Sequence, residues 1–200
     1  MNNLDNLVEI LFENAHTAVA WQDRAVPATL PEQLYNHVKW GPTSANSSPA
    51  RFVFLASKEV RQRLRPAIVA GNVEKIIEAP LVVLVAYDLQ FYDQFPKLWP
   101  HEDLRSWYAA DHVLAEETAQ RNSTLQGGYM ILAARALGFD VAPISGFDAA
   151  LVEEIFLQGK NWRLNFIMGI GYADSTRQQP RKPRLDFEEA CLLYPPPMDN

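Results

Sequence analysis

The stretch Gly41-Pro42-Thr43-Ser44-Ala45-Asn46-Ser47-Ser48-Pro49-Ala50-Arg51 lies between a predicted helix and a predicted strand. Gly41 and the two prolines restrict the path of its backbone. Thr43, Ser44 and Asn46 are short enough to exchange hydrogen bonds with a planar polar ligand without blocking its approach. An ordinary helix-to-strand connection has the same composition. The stretch alone therefore allows two interpretations, a plain loop and a ligand-binding turn.

The segments around this turn alternate between predicted helices and predicted strands. Apolar spacing, caps and stops predict helices over residues 4–15, 29–40, 57–69, 113–137, 149–158 and 187–193. Short apolar runs predict strands over residues 51–56, 81–87 and 164–172, with a strand-to-helix turn at 140–148. Because residues 81–87 are apolar throughout, we expect them to form the centre of the sheet, buried on both faces. The predicted class is α/β or α+β with a mixed sheet.

Length and charge limit the possible partners. Two hundred residues with 48% hydrophobic and 21% charged content are typical of one globular domain, which we place at residues 1–200. The net charge of −6 argues against nucleic acid or an anionic membrane as the principal partner. Cys191 is the single cysteine, which excludes an intrachain disulfide and a cysteine-based metal cluster.

Two further patterns predict a cytoplasmic protein without a membrane partner. The longest strongly apolar run, Ala79 to Ala86, is much shorter than the roughly 20 residues of a membrane-spanning helix. The amino terminus carries Asp5, Glu9 and Glu13 where a signal peptide would have basic residues followed by an apolar block.

Residues 88–110 differ from the rest of the chain because they are rich in aromatic residues and proline. Such a segment suits a lid over a substrate, and it suits equally a surface excursion held by its aromatic side chains. Arg105 lies within it, between Trp99 and Trp107 in the sequence. We consider Arg105 a candidate contact for a substrate carboxylate, with a structural ion pair as the alternative.

The common catalytic signatures are absent from the sequence. It contains no GxGxxG after a strand, no Walker sequence, no Gly-x-Ser-x-Gly elbow and no HExxH or comparable metal-ligand spacing, so we expect no metal site. A chain that supplies hydrogen bonds, cations and aromatic rings without a clear acid–base pair suggests that a bound cofactor carries the reaction. We accordingly assign no catalytic side chain.

The residues that carry a family resemblance are spread along nearly the whole chain. In order they are 40–52 (WGPTSANSSPARF), 71–75 (GNVEK), 100–107 (PHEDLRSW), 115–118 (AEET), 121–123 (RNS), 145–148 (SGFD) and 183–190 (PRLDFEEA). Together they resemble the flavin-dependent nitroreductase family, in particular the subgroup that contains malonic semialdehyde reductase. The resemblance implies an α+β nitroreductase-like fold, with a mixed central sheet flanked by helices. It also implies an intertwined homodimer that binds two FMN molecules at its interface.

In such a dimer each flavin site is built from both chains. Pro42, Thr43, Ser44 and Asn46 match the family's turn that reaches the flavin of the neighbouring subunit. Ser145-Gly146 matches the backbone that approaches the ring near its reactive nitrogen. A tail from about residue 175 would contact the other subunit.

The resemblance assigns four more residues to FMN. Asn72 and Lys75 match a pair that addresses the pyrimidine side of the flavin ring, where a cation would stabilise the negative charge that develops on reduction. Lys182 and Arg184 match a Lys-x-Arg pair that holds the phosphate, which carries nearly two negative charges and suits paired cations.

The sequence departs from the family at one basic motif. Many members begin with Arg-Arg-Ser-x-Arg, which binds phosphate and ring, whereas the matching segment here is Ala15-His16-Thr17-Ala18-Val19. Both outer cations are missing. His16 and Thr17 remain as candidate phosphate contacts, and the FMN site is expected to be altered.

The function implied by the resemblance is an FMN-dependent oxidoreductase with NADH or NADPH as hydride donor. It would work by a ping-pong cycle through flavin N5. Its acceptor would be a small carbonyl such as malonic semialdehyde, giving 3-hydroxypropionate, or a nitroaromatic or quinone. The alternatives are another flavin reaction, such as dehalogenation or dehydrogenation, and a binding protein of this fold with little or no flavin.

Overall fold

The computed structural model describes residues 3–194, with side chains from Asp5 onward, so both ends of the predicted domain lie outside the described residues. The helices are α1 (Asn3–Val8), α2 (Leu30–Val38), α3 (Lys58–Gln62), α4 (Val73–Ile77), α5 (Phe95–Leu98), α6 (Leu104–Ala110), α7 (His112–Ala136), α8 (Ala149–Phe156) and α9 (Phe187–Ala190). The strands are β1 (Ala50–Leu55), β2 (Leu81–Asp88), β3 (Asp140–Ile144) and β4 (Trp162–Gly171). A π-helical turn, Glu9–Glu13, continues α1.

The four strands form one sheet in the order β1-β2-β4-β3. Residues 81–87 of β2 are buried and lie inside the sheet, which confirms the position predicted from their apolar run. The α+β class is also confirmed. The sheet was expected to be mixed, but each pair of neighbouring strands is antiparallel. Among the described residues, parallel pairing is limited to the isolated bridge between Thr17 and Val141.

Helices cover both faces of the sheet. On one face, Val82 and Leu84 belong to a core that includes residues of α4 and α8. On the other face, Val83 and Val85 belong to a core that includes residues of α2 and α7. This alternation is the period of two that a strand imposes. A continuous apolar run is typical of parallel strands, but here it results from helical cover on both sides of an antiparallel strand.

The helix predicted over residues 57–69, with a perturbation expected at Pro66, is shorter than its apolar pattern indicates. Ser57 caps it as expected, because its Oγ accepts a hydrogen bond from Val60 N at 3.3 Å, yet α3 ends at Gln62. Pro66 then lies in a 3-10 turn, because proline has no N–H with which to continue an α-helix.

Two other predicted boundaries change. Residues 140–144 form the strand β3 against β4, where a strand-to-helix turn was expected. Pro143 is tolerated there because β3 lies at the edge of the described sheet. The last predicted helix, 187–193, ends at Ala190, and residues 175–194 are exposed throughout.

The aromatic-rich residues 88–110 pack as a small cluster of their own. Phe91, Phe95 and Tyr108 are buried, with ring centroids 5.1 Å apart for Phe91 and Tyr108 and 5.6 Å for Phe95 and Tyr108. Tyr87 and Ala115 connect this cluster to β2 and to the start of α7. The segment is therefore anchored by its rings.

Two features are absent from the described part of the chain. Between residues 3 and 194, no helix combines the length and hydrophobicity needed to cross a bilayer. Over the same residues, no group of three His, Cys, Asp or Glu side chains is arranged to hold a metal ion.

Two adjacent glycines of α7 give a test of this packing. A Cβ on Gly127 would lie 2.4 Å from Phe166 Cζ, whereas a Cβ on Gly128 would have no heavy atom within 4 Å. We expect Gly127→Ala to lower the free energy of unfolding by about 1–3 kcal/mol through overpacking. Gly128→Ala should be neutral or stabilising by up to about 1 kcal/mol, because alanine favours the helix. Urea unfolding of both variants measures the difference, and equal stabilities would contradict the packing described.

Candidate functional site

A cleft of about 580 Å³ lies between the end of the first helical segment, α4 and the tail. We call it the cationic cleft, because its lining includes Lys75, Arg135, Arg181, Lys182 and Arg184. No carboxylate is among the described residues that line it. A chain with a net charge of −6 thus concentrates five of its 18 Lys and Arg residues around one opening. Such a site favours an anionic ligand.

Three segments that are distant in the sequence meet at this cleft. Residues 16–19 cross the end of β3, where Ala18 N donates to Val141 O at 2.9 Å, and this brings His16 and Thr17 to the cleft. The tail brings Lys182 and Arg184. Arg184 Nη1 donates to Lys182 O at 2.8 Å and thereby holds the two residues in one local turn.

Lys75 connects the cleft to the next predicted site residues. Its carbonyl accepts a hydrogen bond from Trp21 Nε1 at 2.7 Å, and its Nζ donates to Asn72 Oδ1 at 3.3 Å. A Cβ on Gly146 would lie 2.9 Å from Asn72 Nδ2, so these two residues touch. Val69 N also donates to Gly146 O at 3.0 Å. The predicted residues therefore form a continuous row from the cationic cleft through Lys75 and Asn72 to Gly146.

Ser145 continues this row into a more apolar opening. It lines a cleft of about 370 Å³ with Gly128, Ile131 and Phe166. The row thus has a cationic end and an apolar end, with hydrogen-bonding groups between them. That order of chemistry suits a ligand with an anionic group at one end and a flat, partly polar ring at the other.

The turn of residues 41–51 lies elsewhere. Pro42 and Asn46 line a separate cleft of about 980 Å³, together with Trp40 and Arg51, and none of the turn residues lines the cationic cleft. Inside the turn, Thr43 Oγ1 accepts a hydrogen bond from Ser48 N at 3.1 Å. Within the chain, then, the structure does not bring the turn together with the other predicted site residues.

Helix α7 holds this turn in place. Asn122 Oδ1 accepts from Ser44 N at 2.8 Å, and Gln126 Oε1 accepts from Ala50 N at 2.9 Å. Tyr129 Oη donates to Pro42 O at 2.9 Å. The bonds matter because the backbone of the turn is unusual: the φ angles of Ala45, Asn46 and Ser48 are 48°, 53° and 41°. Such angles are costly for residues other than glycine and persist when surrounding contacts impose them.

Two cations of the cleft, Arg135 and Arg181, belong to none of the predicted site motifs. Arg135 is in the last turn of α7, where an arginine needs no further explanation because it interacts favourably with the helix dipole. Burial lowers the pKa of Arg135, the charge of Arg181 lowers it further, and Asp140 opposes the change. The two arginines are therefore close enough to interact, although 46 positions separate them in the sequence.

Arg105 lies in the aromatic-rich segment and is engaged within the chain. Its Nε donates to Asp93 Oδ1 at 2.8 Å, and its side chain is 51% exposed. The structural ion pair considered from the sequence is thus present. The Nη groups of Arg105 have no hydrogen-bond partner among residues 3–194, so they remain open to a further acceptor.

Comparison with known sequences identifies the family. Residues 20–172 match the sequence profile of the nitroreductase family. A relative from Stutzerimonas stutzeri (strain A1501), named "Putative NADH dehydrogenase/NAD(P)H nitroreductase", is 50% identical over 188 residues, which cover 94% of this chain and 96% of the relative. The chain therefore belongs to the nitroreductase family, as its motifs predicted.

Solved structures show the same fold at much lower identity. The "putative nitroreductase ydfN" of Bacillus subtilis has a TM-score of 0.87 and 20% identity, and the match covers 96% of this chain and 100% of that one. A "putative nitroreductase in complex with FMN" from Exiguobacterium sibiricum 255-15 has a TM-score of 0.83 and 19% identity, covering 94% and 96%. The predicted nitroreductase-like fold is thus confirmed.

A substitution of Gln126 tests whether the hydrogen bond from Ala50 N to Gln126 Oε1 stabilises the turn. In Gln126→Leu the buried Ala50 N–H loses its acceptor, so we expect the free energy of unfolding to fall by about 1–3 kcal/mol. The Ala50 amide should also exchange faster with solvent. Gln120→Leu is the matched control, because that side chain is exposed on the same helix. Urea unfolding and amide hydrogen exchange measure both effects, and equal behaviour of the two variants would show that the bond does not hold the turn.

Proposed function

We propose that this protein is an FMN-dependent NAD(P)H oxidoreductase. The observation that carries the proposal is the row of residues from the cationic cleft through Lys75 and Asn72 to Ser145-Gly146. Family membership, the NAD(P)H nitroreductase name of the relative and the FMN in the Exiguobacterium sibiricum structure support it.

The residues present fit the chemistry of FMN. Its phosphate is a dianion, and the cleft offers the ammonium and guanidinium groups of Lys182 and Arg184 without a competing carboxylate among its described lining residues. His16 and Thr17 line the same cleft and add hydrogen-bonding groups. At the other end, the absence of a Cβ at Gly146 lets Asn72 pack directly against that backbone, which places the Asn72 amide where it could bind a polar ring.

Lys75 has the most direct part in the proposed reaction. Bound FMN would supply hydride acceptance and donation at N5, between NADH or NADPH and the substrate. Asn72 orients the Lys75 ammonium through the bond at 3.3 Å. A fixed cation at this position would stabilise negative charge that develops on the pyrimidine side of the ring, at no reorganisation cost.

We further propose that the working unit is a cytoplasmic homodimer. Pro42, Thr43, Ser44 and Asn46 lie away from the cationic cleft of their own chain, so they would serve the flavin of the partner. The exposed tail carries large apolar side chains that a second copy would cover. These are Leu185, Phe187, Leu192, Leu193 and Tyr194, each between 55% and 85% exposed.

The proposed acceptor is a small carbonyl compound such as malonic semialdehyde, reduced to 3-hydroxypropionate, or a nitroaromatic or quinone. Arg105 favours a substrate with a carboxylate, because Asp93 holds its guanidinium through Nε and leaves the Nη groups open. The alternative function is a binding protein of the same fold with little or no flavin. It is suggested by Ala15 and Val19, which stand where many family members have arginine.

Titration of the purified protein with FMN tests the proposed function. We expect a flavin absorption band that remains with the protein after gel filtration, loses its colour when NADH or NADPH is added without oxygen, and regains it on addition of an acceptor. Comparing malonic semialdehyde, a nitroaromatic and a quinone identifies the acceptor class. A colourless protein that binds no FMN would support the flavin-free alternative.

Lys75→Met tests the role assigned to the ammonium group. Methionine has a similar length without the charge, so we expect reduction of bound FMN by NAD(P)H to slow about 100-fold, as for the loss of one preorganised donor. Stopped-flow absorbance measures the rate. Lys160→Met is the control, because Lys160 is exposed near Trp162 and outside the cationic cleft. Equal rates in the two variants would exclude Lys75 from charge stabilisation.

Arg105→Ala tests the substrate contact. We expect kcat/KM for a carboxylate-bearing aldehyde to fall about 10- to 100-fold, the usual effect of losing a charged hydrogen bond, while that for a neutral quinone is unchanged. Arg163→Ala is a matched control, because Arg163 is 54% exposed and pairs with Glu153 at 3.0 Å. Equal losses on both substrates would mean that Arg105 is structural.

A further inference from the structure

We propose that Arg135 and Arg181 form a second anion-binding pair in the cationic cleft, seated on the carbonyl groups at the end of the first helical segment. The inference rests on the proposed FMN function for the identity of the ligand, whose phosphate the pair would bind together with Lys182 and Arg184. It adds two residues that neither the sequence motifs nor the family resemblance assigned to the cofactor.

Arg181 reaches the helix end from the tail. Its Nη2 donates to the carbonyl groups of Phe12, Glu13 and Ala15, with distances of 3.4 Å to Phe12 O and 3.0 Å to Ala15 O. These contacts use one nitrogen of the guanidinium. Its Nε and Nη1 have no acceptor among the described residues, although arginine carries five N–H groups.

Arg135 reaches the same helix end from α7. Its Nη1 donates to Leu11 O at 2.8 Å, and its Nε and Nη2 likewise have no acceptor within residues 3–194. The helix end can hold both arginines because the last carbonyls of a helix carry partial negative charge. The carbonyl groups therefore position the two guanidinium groups and leave most of their donors available.

Charge favours a ligand between them over a purely structural role. Partial burial of Arg135 increases the cost of its charge, Asp140 offsets part of that cost, and the charge of Arg181 adds to it, so that the pKa of Arg135 remains below its ordinary value. Neither makes an ion pair with a carboxylate of the described residues. Both line the cationic cleft. A bound dianion would satisfy the free donors and relieve the repulsion.

Paired titrations with FMN and riboflavin test the proposal, because the two flavins differ in the phosphate. Apo-protein is titrated with each flavin for wild type, Arg135→Gln and Arg181→Gln. We expect the Kd for FMN to rise about 10- to 100-fold in either variant, with the Kd for riboflavin changed by less than about twofold. An equal rise in Kd for both flavins, or an unchanged Kd for FMN, would show that Arg135 and Arg181 do not bind the phosphate.

Two further variants separate charge and folding from phosphate contact. Arg177→Gln removes the same charge from the exposed tail outside the cleft, and its Kd for FMN should equal that of wild type. Arg181→Lys keeps the charge but loses the planar fork, so it should fall between wild type and Arg181→Gln. Near-ultraviolet circular dichroism would reveal whether Arg181→Gln folds. If it does not fold, Arg181→Lys replaces it in the titration, and a wild-type Kd for FMN in Arg181→Lys would contradict the proposed role of Arg181.

Inorganic phosphate separates failure of this inference from failure of the proposed function. If wild-type protein binds neither flavin, the proposed function fails, but the pair can still be tested by thermal unfolding of the apo-protein with and without phosphate. Phosphate should raise the Tm of wild type and of Arg177→Gln and should have a smaller effect on the Arg135 and Arg181 variants. The absence of any phosphate effect on wild type, or an equal effect on all variants, would contradict the anion site.

Discussion

The burial of β2 on both faces is the constraint on which the rest of the structure depends. Residues 81–87 are apolar and lie inside an antiparallel sheet, so each face needs its own layer of helices. The layer with α4 positions Lys75 and Asn72, and the layer with α7 positions the residues that hold the turn of 41–51. Lys75 and Asn72 thus belong to one helical layer, and the side chains that hold the turn belong to the other.

The cationic cleft shows how an acidic protein can build a positive site. Its charges come from a helix end, a short helix and an extended tail, and three of the cations donate to neutral partners: Lys75 to Asn72, and Arg135 and Arg181 to main-chain carbonyls. Neutral partners orient a cation and leave its charge in place, whereas a carboxylate would orient the cation and also neutralise its charge. The positive potential of the cleft is therefore available to a ligand.

The turn of residues 41–51 is as much a product of α7 as of its own composition. Its prolines and small residues permit a tight path, but three positive φ angles at residues other than glycine need external support. Asn122 and Gln126 supply that support from a helix more than 70 positions away. Nothing in the sequence indicated that Asn122 and Gln126 would accept hydrogen bonds from the backbone of this turn.

The sequence by itself determined the α+β class, the central strand, the cap at Ser57 and the family, because these depend on local patterns and on the order of motifs. It also placed His16, Thr17, Lys75, Lys182 and Arg184, which the structure brings to one cleft. Only the tertiary structure decided the antiparallel pairing and the presence of Arg135 and Arg181 beside them. Pairing direction and long-range charge contacts depend on how distant segments pack, and no local pattern records that.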